Sequence, residues 1–353
     1  MSGKERTERE KIKRRDFIKL AAAGAALTGA ACSGTPQAGE QGSAPKEALV
    51  PRKRLGKTAM TASILAMGGG SALSMVKDDQ QALALIDLAR RKGVNFYDSS
   101  ANYGGGKSEK RFGEALEPHR ESVYFATKYE TEDDYDKLMI KFERSCKRLR
   151  TDYIDVVQMH GLSNLDEVEQ MFSSGALETL VKLKEQGAAH YIGVSSHLHP
   201  PAMAEALRRF DFDVALMGAN ASKVPFAFEF EVPGENSFED VFSLAREKNV
   251  GVYAFKITGQ RRLIAKSNEP DKATGEELLR YGFSLPVHGI IMGMHTVEHI
   301  EGAARLASSF DPMPREQMNE LNLRLAPNAN SLTLDYLRPD YVDNGGYRAH
   351  LLA

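Results

Sequence analysis

From residue 62 onward the chain repeats one pattern: a short apolar run, a turn, then a segment with apolar residues at helical spacing. The first run, Ser63 to Met67, stops at Gly68-Gly69-Gly70. Asp78 and Asp79 offer a cap to the helix that follows. Ala82, Leu85, Ile86 and Ala89 recur on one face of that helix, and Arg90, Arg91 and Lys92 suit its negative end before Gly93 stops it. Further strands are predicted at Val94–Tyr97, Val123–Thr127, Tyr153–Met159, His190–Val194, Val214–Met217, Val252–Phe255 and Gly289–Met292. Leu138, Phe142, Ser145 and Leu149 share a helix face after the third strand, and Leu177, Leu180 and Val181 mark the helix after the fourth. Later helices are predicted near 200–209, 238–248, 274–282 and 296–307. Eight strand–helix units in about 250 residues predict an α/β fold of the (β/α)8 TIM-barrel type. An open doubly wound sheet is the alternative, but the residues after the first strand lack its G-x-G-x-x-G turn.

The 353 residues divide into four expected parts: a signal segment 1–31, a linker 32–50, the barrel 51–325 and a tail 326–353. The formal net charge of -2 gives no global attraction to nucleic acid. Two cysteines, Cys32 and Cys146, are too few for a disulfide framework or a four-thiolate metal site. The sequence His295-Thr-Val-Glu298-His299 has the outline of a zinc motif, but it falls at a loop-to-helix junction within the barrel pattern, so no metal is expected. The stretch 221–236 is an extra loop whose Phe226, Phe228 and Phe230 are expected to pack it down or to line a pocket.

The N-terminus reads as an address rather than as part of the fold. Arg14 and Arg15 followed by Asp16, Phe17, Ile18 and Lys19 match a twin-arginine export signal. The apolar stretch Leu20 to Ala31 is only 12 residues, short for a membrane span. Cys32 stands where a lipid-anchored cysteine would stand, but Leu27 lies two residues too early for the usual lipoprotein pattern, so plain cleavage competes with lipidation. Residues 33–48 are rich in Gly, Ser, Pro and Gln and read as a flexible tether. The expected partner is the twin-arginine translocation machinery, and the expected location is periplasmic or extracytoplasmic.

In a barrel, catalytic groups gather at the C-terminal ends of the strands. Asp98 ends the second strand, Tyr103 lies in the loop behind it, Lys128 ends the third and His160 the fourth. This set suits carbonyl reduction. Hydride arriving at carbon leaves an alkoxide that needs a proton. A Tyr hydroxyl can give it, provided that a nearby ammonium lowers its pKa. Asp98 would hold Lys128 charged, and His160 would orient the carbonyl oxygen.

Residues 95–116, NFYDSSANYGGGKSEKRFGEAL, with FATK at 125–128 and DYIDVVQMH at 152–160, resemble the signature segments of the aldo-keto reductase family. The likeness spans roughly 52–308 and implies NADP- or NAD-dependent hydride transfer to an aldehyde or ketone, or from the corresponding alcohol. It assigns Tyr103, Lys128, Asp98 and His160 to catalysis. It implies a cofactor site at Gly68, Gly69, Asp98, Ser195, Ser196 and Asn220, with Lys256, Gly293, Met294, His295 and His299 beside the phosphates. Ser196 stands where the family has Asn, and Leu216 where it has an amide-binding Gln. A barrel that binds cofactor as a sensor or interaction protein, with little turnover, is the competing reading.

Overall fold

The computed structural model describes residues 48–197, 199–223 and 238–337. The expected signal segment, Cys32, most of the linker, Phe226, Phe228, Phe230 and the last part of the tail lie outside the described residues.

Eight parallel strands close into a barrel. In chain order they are β3 (Leu65–Gly68), β4 (Phe96–Asp98), β5 (Tyr124–Tyr129), β6 (Ile154–Met159), β7 (Ala189–Ser196), β8 (Val214–Gly218), β9 (Gly251–Phe255) and β10 (Gly289–Met292). Each pairs with the next, and β10 closes onto β3 through Ile290, Ile291 and Met292 against Leu65, Ala66 and Met67. An antiparallel hairpin precedes them, β1 (Arg52–Arg54) and β2 (Thr61–Ser63). Eleven described helices follow: α1 (Ser71–Met75), α2 (Asp79–Arg91), α3 (Lys107–Leu116), α4 (Tyr135–Leu149), α5 (Leu165–Ser173), α6 (Ala176–Glu185), α7 (Pro200–Arg209), α8 (Phe238–Glu247), α9 (Gly275–Ser284), α10 (Val297–Ser308) and α11 (Arg315–Leu325).

The barrel has two apolar layers. Inside, Ala66, Phe96, Ala126, Val156, Val214 and Tyr253 fill the lumen. The hairpin contributes Leu55, Met60 and Ala62 to the same layer, so it plugs the barrel floor. His288 secures that plug: its ring nitrogens lie 3.2 Å from Arg54 O and 3.1 Å from Ala62 O. Outside, helix faces such as Leu138, Phe142 and Leu149 of α4 pack on the strands. Asp78 caps α2 by accepting from the Gln81 amide at 2.7 Å, and Gly93, with φ of 102°, follows its end.

The pattern misplaced some boundaries. Ser63 belongs to the hairpin, where it pairs with Arg52, and the barrel strand begins at Leu65. Its amide is taken by Asn95 Oδ1 at 2.7 Å, a partner 32 residues away. Two helices, α5 and α6, stand where one is expected. Neither α1 nor α11 is predicted. The packed unit also runs past residue 325, because Leu334, Tyr336 and Leu337 are buried in the outer layer. Among the described residues, no helix is long and apolar enough to cross a membrane.

Candidate active site

The C-terminal end of β4 delivers Asp98, and the chain then turns sharply through a 3-10 turn at Tyr103–Gly106. Gly104, Gly105 and Gly106 have φ of 59°, 64° and 90°. A run of left-handed residues costs side-chain-bearing residues about 1–2 kcal/mol each, so this turn calls for glycine. It reverses the chain into α3 and leaves Tyr103 buried. The turn is held from below by Arg148 of α4. Its Nη1 donates to Ala101 O and pairs with Glu109 Oε2, both at 3.1 Å. Glu109 is fully buried and also accepts from Thr127 Oγ1 at 2.7 Å.

Lys128 comes from β5. Its Nζ donates to Asp98 Oδ2 and to Ser99 O, both at 2.6 Å. Gln158 of β6 donates to the other Asp98 oxygen at 3.2 Å. Burial pushes the Asp98 carboxyl up, against the opposing pull of the Lys128 charge and its hydrogen bond. The Lys128 Nζ lies 5.1 Å from the centre of the Tyr103 ring. The His160 ring, just past the end of β6, stands edge-on to Tyr103 with centroids 5.8 Å apart. His160 Nδ1 is 3.1 Å from Glu130 Oε1, and Asn102 Nδ2 donates to that same oxygen at 2.6 Å.

An open cleft of about 1010 Å³ lies at this mouth of the barrel. Asp98, Tyr103 and Lys128 form one wall; Phe255, Lys256, Thr258, Arg261, Gly293 and His295 form the opposite side. Gly68, Ser195 and His197 also line it, and Leu216 sits at its base. Lys256 and Arg261 carry positive φ, 62° and 71°, in the loop after β9. Arg261 Nη1 donates to His295 Nε2 at 3.1 Å. His295 and His299 stack edge to face at 4.6 Å. Burial lowers the pKa of both. Among the described residues, no three His, Cys, Asp or Glu side chains converge as metal ligands.

Several residues implied at the cofactor site do not reach this cleft. Gly69 packs under α3: a Cβ there would lie 2.1 Å from Ser108 Oγ and 2.8 Å from the Phe112 ring. Ser196 is buried and donates to Leu162 O at 2.7 Å. Asn220 donates to the Tyr336 hydroxyl at 2.7 Å and accepts from Ser222 N and Oγ, which ties the segment after β8 to the C-terminal turn. Met294 is fully buried. Sequence reasoning missed Gln158, Glu130 and Arg261. Their types are common at strand ends and in loops, and only the closed barrel brings them to the site.

The aldo/keto reductase family model matches residues 65–281, from the first barrel strand to the middle of α9. The chain belongs to this family. Aldo-keto reductases are NAD(P)H-dependent oxidoreductases, which agrees with a cleft bordered by a buried Tyr–Lys–Asp set. An uncharacterized oxidoreductase of Bacillus subtilis, YqkF, is 22% identical over 290 residues, 73% of this chain and 91% of that protein. The L-galactose dehydrogenase of Arabidopsis thaliana is 32% identical over 156 residues, 40% of this chain and 47% of that enzyme. Among solved structures, the holo form of an aldo-keto reductase from Bacillus halodurans superposes with a TM-score of 0.63 at 21% identity. That match covers 78% of this chain and 96% of the other, and it shows the shared barrel.

Proposed function

We propose that this protein passes hydride between NADPH or NADH and a small-molecule aldehyde or ketone, or oxidises the corresponding alcohol, with Tyr103 as general acid/base. One observation carries the reading: Asp98, Tyr103 and Lys128 border one cleft, and the His160 ring stands edge-on to Tyr103 beside them, the four coming from three neighbouring strand ends.

The opposite wall suits a nicotinamide dinucleotide. Lys256 and Arg261 offer cationic groups for phosphate oxygens, and Thr258 offers a hydroxyl. Because Arg261 donates to His295 Nε2, the His295 ring proton sits on Nδ1. That buried nitrogen has no hydrogen-bond partner among the described residues, a donor that an anionic ligand would satisfy. Gly68, Ser195, Arg261, Gly293 and His295 would hold the cofactor, while Gly69, Ser196, Asn220 and Met294 would serve it by packing. When bound, the cofactor supplies hydride to the carbonyl carbon or accepts it from the alcohol.

The residues of the chain handle the oxygen and its proton. Tyr103 gives its hydroxyl proton to the developing alkoxide. The Lys128 ammonium stabilises the phenolate that remains, and Asp98 keeps that ammonium charged and in place. His160 hydrogen-bonds the same oxygen and orients it.

The export reading joins this one. Arg14-Arg15-Asp16-Phe17 and the apolar stretch behind it support translocation of the folded protein by the twin-arginine machinery, with Cys32 as lipid anchor or as a plain part of the tether. Export after folding suits an enzyme that loads its cofactor in the cytoplasm and keeps it.

A panel of aldehydes and ketones assayed with NADPH and with NADH tests the proposal. At least one carbonyl should drive cofactor oxidation. Arg261→Ala should weaken binding of the cofactor by about 10- to 100-fold, as expected for losing a charged hydrogen bond. No turnover and no cofactor binding across the panel would count against the reading.

A further inference from the structure

The loop that joins β9 to α9 has two faces. One lines the cleft through Lys256, Thr258 and Arg261. The other rests on the C-terminal stretch 328–337. Asn328 donates to Asp271 O at 2.5 Å, near the end of the loop, and accepts from Lys272 Nζ. Leu334 packs on Gly259, where a Cβ would lie 2.7 Å from the Leu334 Cδ2. Tyr336, in the 3-10 turn Asp335–Leu337, lies at the start of the loop, with the Lys256 Nζ 5.2 Å from the centre of its ring. We propose that this C-terminal turn is a strap for the cofactor loop, with Tyr336 as its positioning residue: it fastens the loop after β9 in the shape that presents Lys256 and Arg261, and so sets how long a nicotinamide dinucleotide stays bound. The inference rests on the reading of that loop as the wall that meets the cofactor phosphates.

The loop needs a fastening. Lys256, Gln260 and Arg261 have left-handed φ of 62°, 54° and 71°, and Gly259 adds a fourth at 54°. Glycine takes that region freely, but residues with a Cβ do not. They persist there when surrounding contacts hold them, and such strain gathers at ligand clamps. Gly259 N donates to Lys256 O at 2.8 Å and Arg261 N to Thr258 Oγ1 at 3.2 Å. Both contacts are local. They shape the loop without fixing where it stands over the barrel mouth.

Asn220, just past β8, supplies the missing link. Its amide has one orientation, because Oδ1 accepts from Ser222 N at 3.0 Å and from Ser222 Oγ at 2.6 Å. Nδ2 then donates to the Tyr336 hydroxyl at 2.7 Å and to Lys256 O at 3.4 Å. Three separate segments meet at this one side chain. Asn220 and Tyr336 are 3% and 2% exposed, so water does not stand in for either partner. A donor stranded there bears its full desolvation cost. Burial raises the Tyr336 pKa, against the smaller pull of the Asn220 hydrogen bond, and keeps the hydroxyl neutral.

A loop held in advance binds its ligand without an ordering cost. A released loop spends only part of its time in the competent shape, and the apparent affinity falls by that fraction. Tyr103 and Lys128 stand on the opposite wall of the cleft, so the chemical step on a bound cofactor does not depend on the strap.

The test uses the full-length protein, NADPH and NADH as probes, and Tyr336→Phe, which keeps the ring beside Lys256 and removes only the hydroxyl. Nicotinamide fluorescence gives Kd and the release rate, and hydrogen–deuterium exchange without cofactor reports on residues 256–263. In Tyr336→Phe those amides should exchange faster. The Kd should rise by about 5- to 50-fold, mostly through faster release, while kcat at saturating cofactor does not fall. Asn220→Ser should act in the same direction, and the double variant should bind no more weakly than the weaker-binding single variant, because both changes remove one bond. A Tyr336→Phe protein with a lowered Tm but unchanged loop exchange and unchanged Kd would overturn the proposal, as would losses that multiply in the double variant. A parent that binds neither dinucleotide would fail the functional reading, while the exchange comparison would still decide whether Tyr336 holds the loop.

Discussion

The Lys128 ammonium sits 2.6 Å from Asp98 Oδ2 and 5.1 Å from the centre of the Tyr103 ring, and the Lys128 and Asp98 side chains are only 3% and 7% exposed. A buried pair of this kind is held by mutual attraction against the cost of desolvating both charges. Breaking one half is therefore severe. Asp98→Asn should destabilise the fold by about 3–5 kcal/mol, because it strands a buried ammonium. Adding Lys128→Met to that variant should restore much of the stability and none of the activity. Chemical denaturation and steady-state rates on the two variants check this, and a double variant no more stable than Asp98→Asn would contradict it.

The glycine turn makes a graded prediction. A Cβ on Gly105 would meet nothing within 4 Å, so Gly105→Ala carries only the strain of a φ of 64°, about 1 kcal/mol. A Cβ on Gly106 would lie 2.1 Å from the Arg148 guanidinium carbon. Gly106→Ala should displace Arg148 and deprive fully buried Glu109 of its cation, at a cost of about 3 kcal/mol or more. Urea unfolding should rank them in that order, with kcat lowered in both because the turn carries Tyr103.

His288 links stability to pH. Burial, with a smaller push from Lys53, lowers its pKa from 6.5 to about 4. The two carbonyls beside its ring favour the charged form, but they do not offset the burial. A histidine depressed in this way contributes stability that is present above pH 6.5 and is lost as pH falls toward about 4. The full loss is roughly 3 kcal/mol. Since His288 fastens the hairpin to the barrel floor, acid should loosen the plug. Denaturation at neutral pH and near the lower pKa should show wild type losing more stability than His288→Gln. Equal losses would remove His288 from the account.

Much of the barrel was legible because its rules are local. Asp78 and Gly93 bracket α2, and strand ends in consecutive units carry Asp98, Lys128 and His160, so the candidate set emerges from order alone. What stayed hidden depends on distant partners. Ser63 reads as part of one apolar run, yet Arg52 and Asn95 draw it into the hairpin. Helix α11 is mostly polar and buries only Leu321 and Leu325, too faint a stripe to predict. Nothing local to Asn220 shows that its amide reaches the Tyr336 hydroxyl, 116 residues away. Glu130 is one of many acidic residues until the closed barrel sets it against His160.

The most direct measurement compares Tyr103→Phe with the parent on a carbonyl that the parent reduces. Removing one hydroxyl leaves the ring, the glycine turn and the Lys128–Asp98 pair in place. The account predicts a drop in kcat of roughly 10²- to 10⁴-fold with cofactor affinity little changed. A phenylalanine variant that turns over as fast as the parent would contradict it.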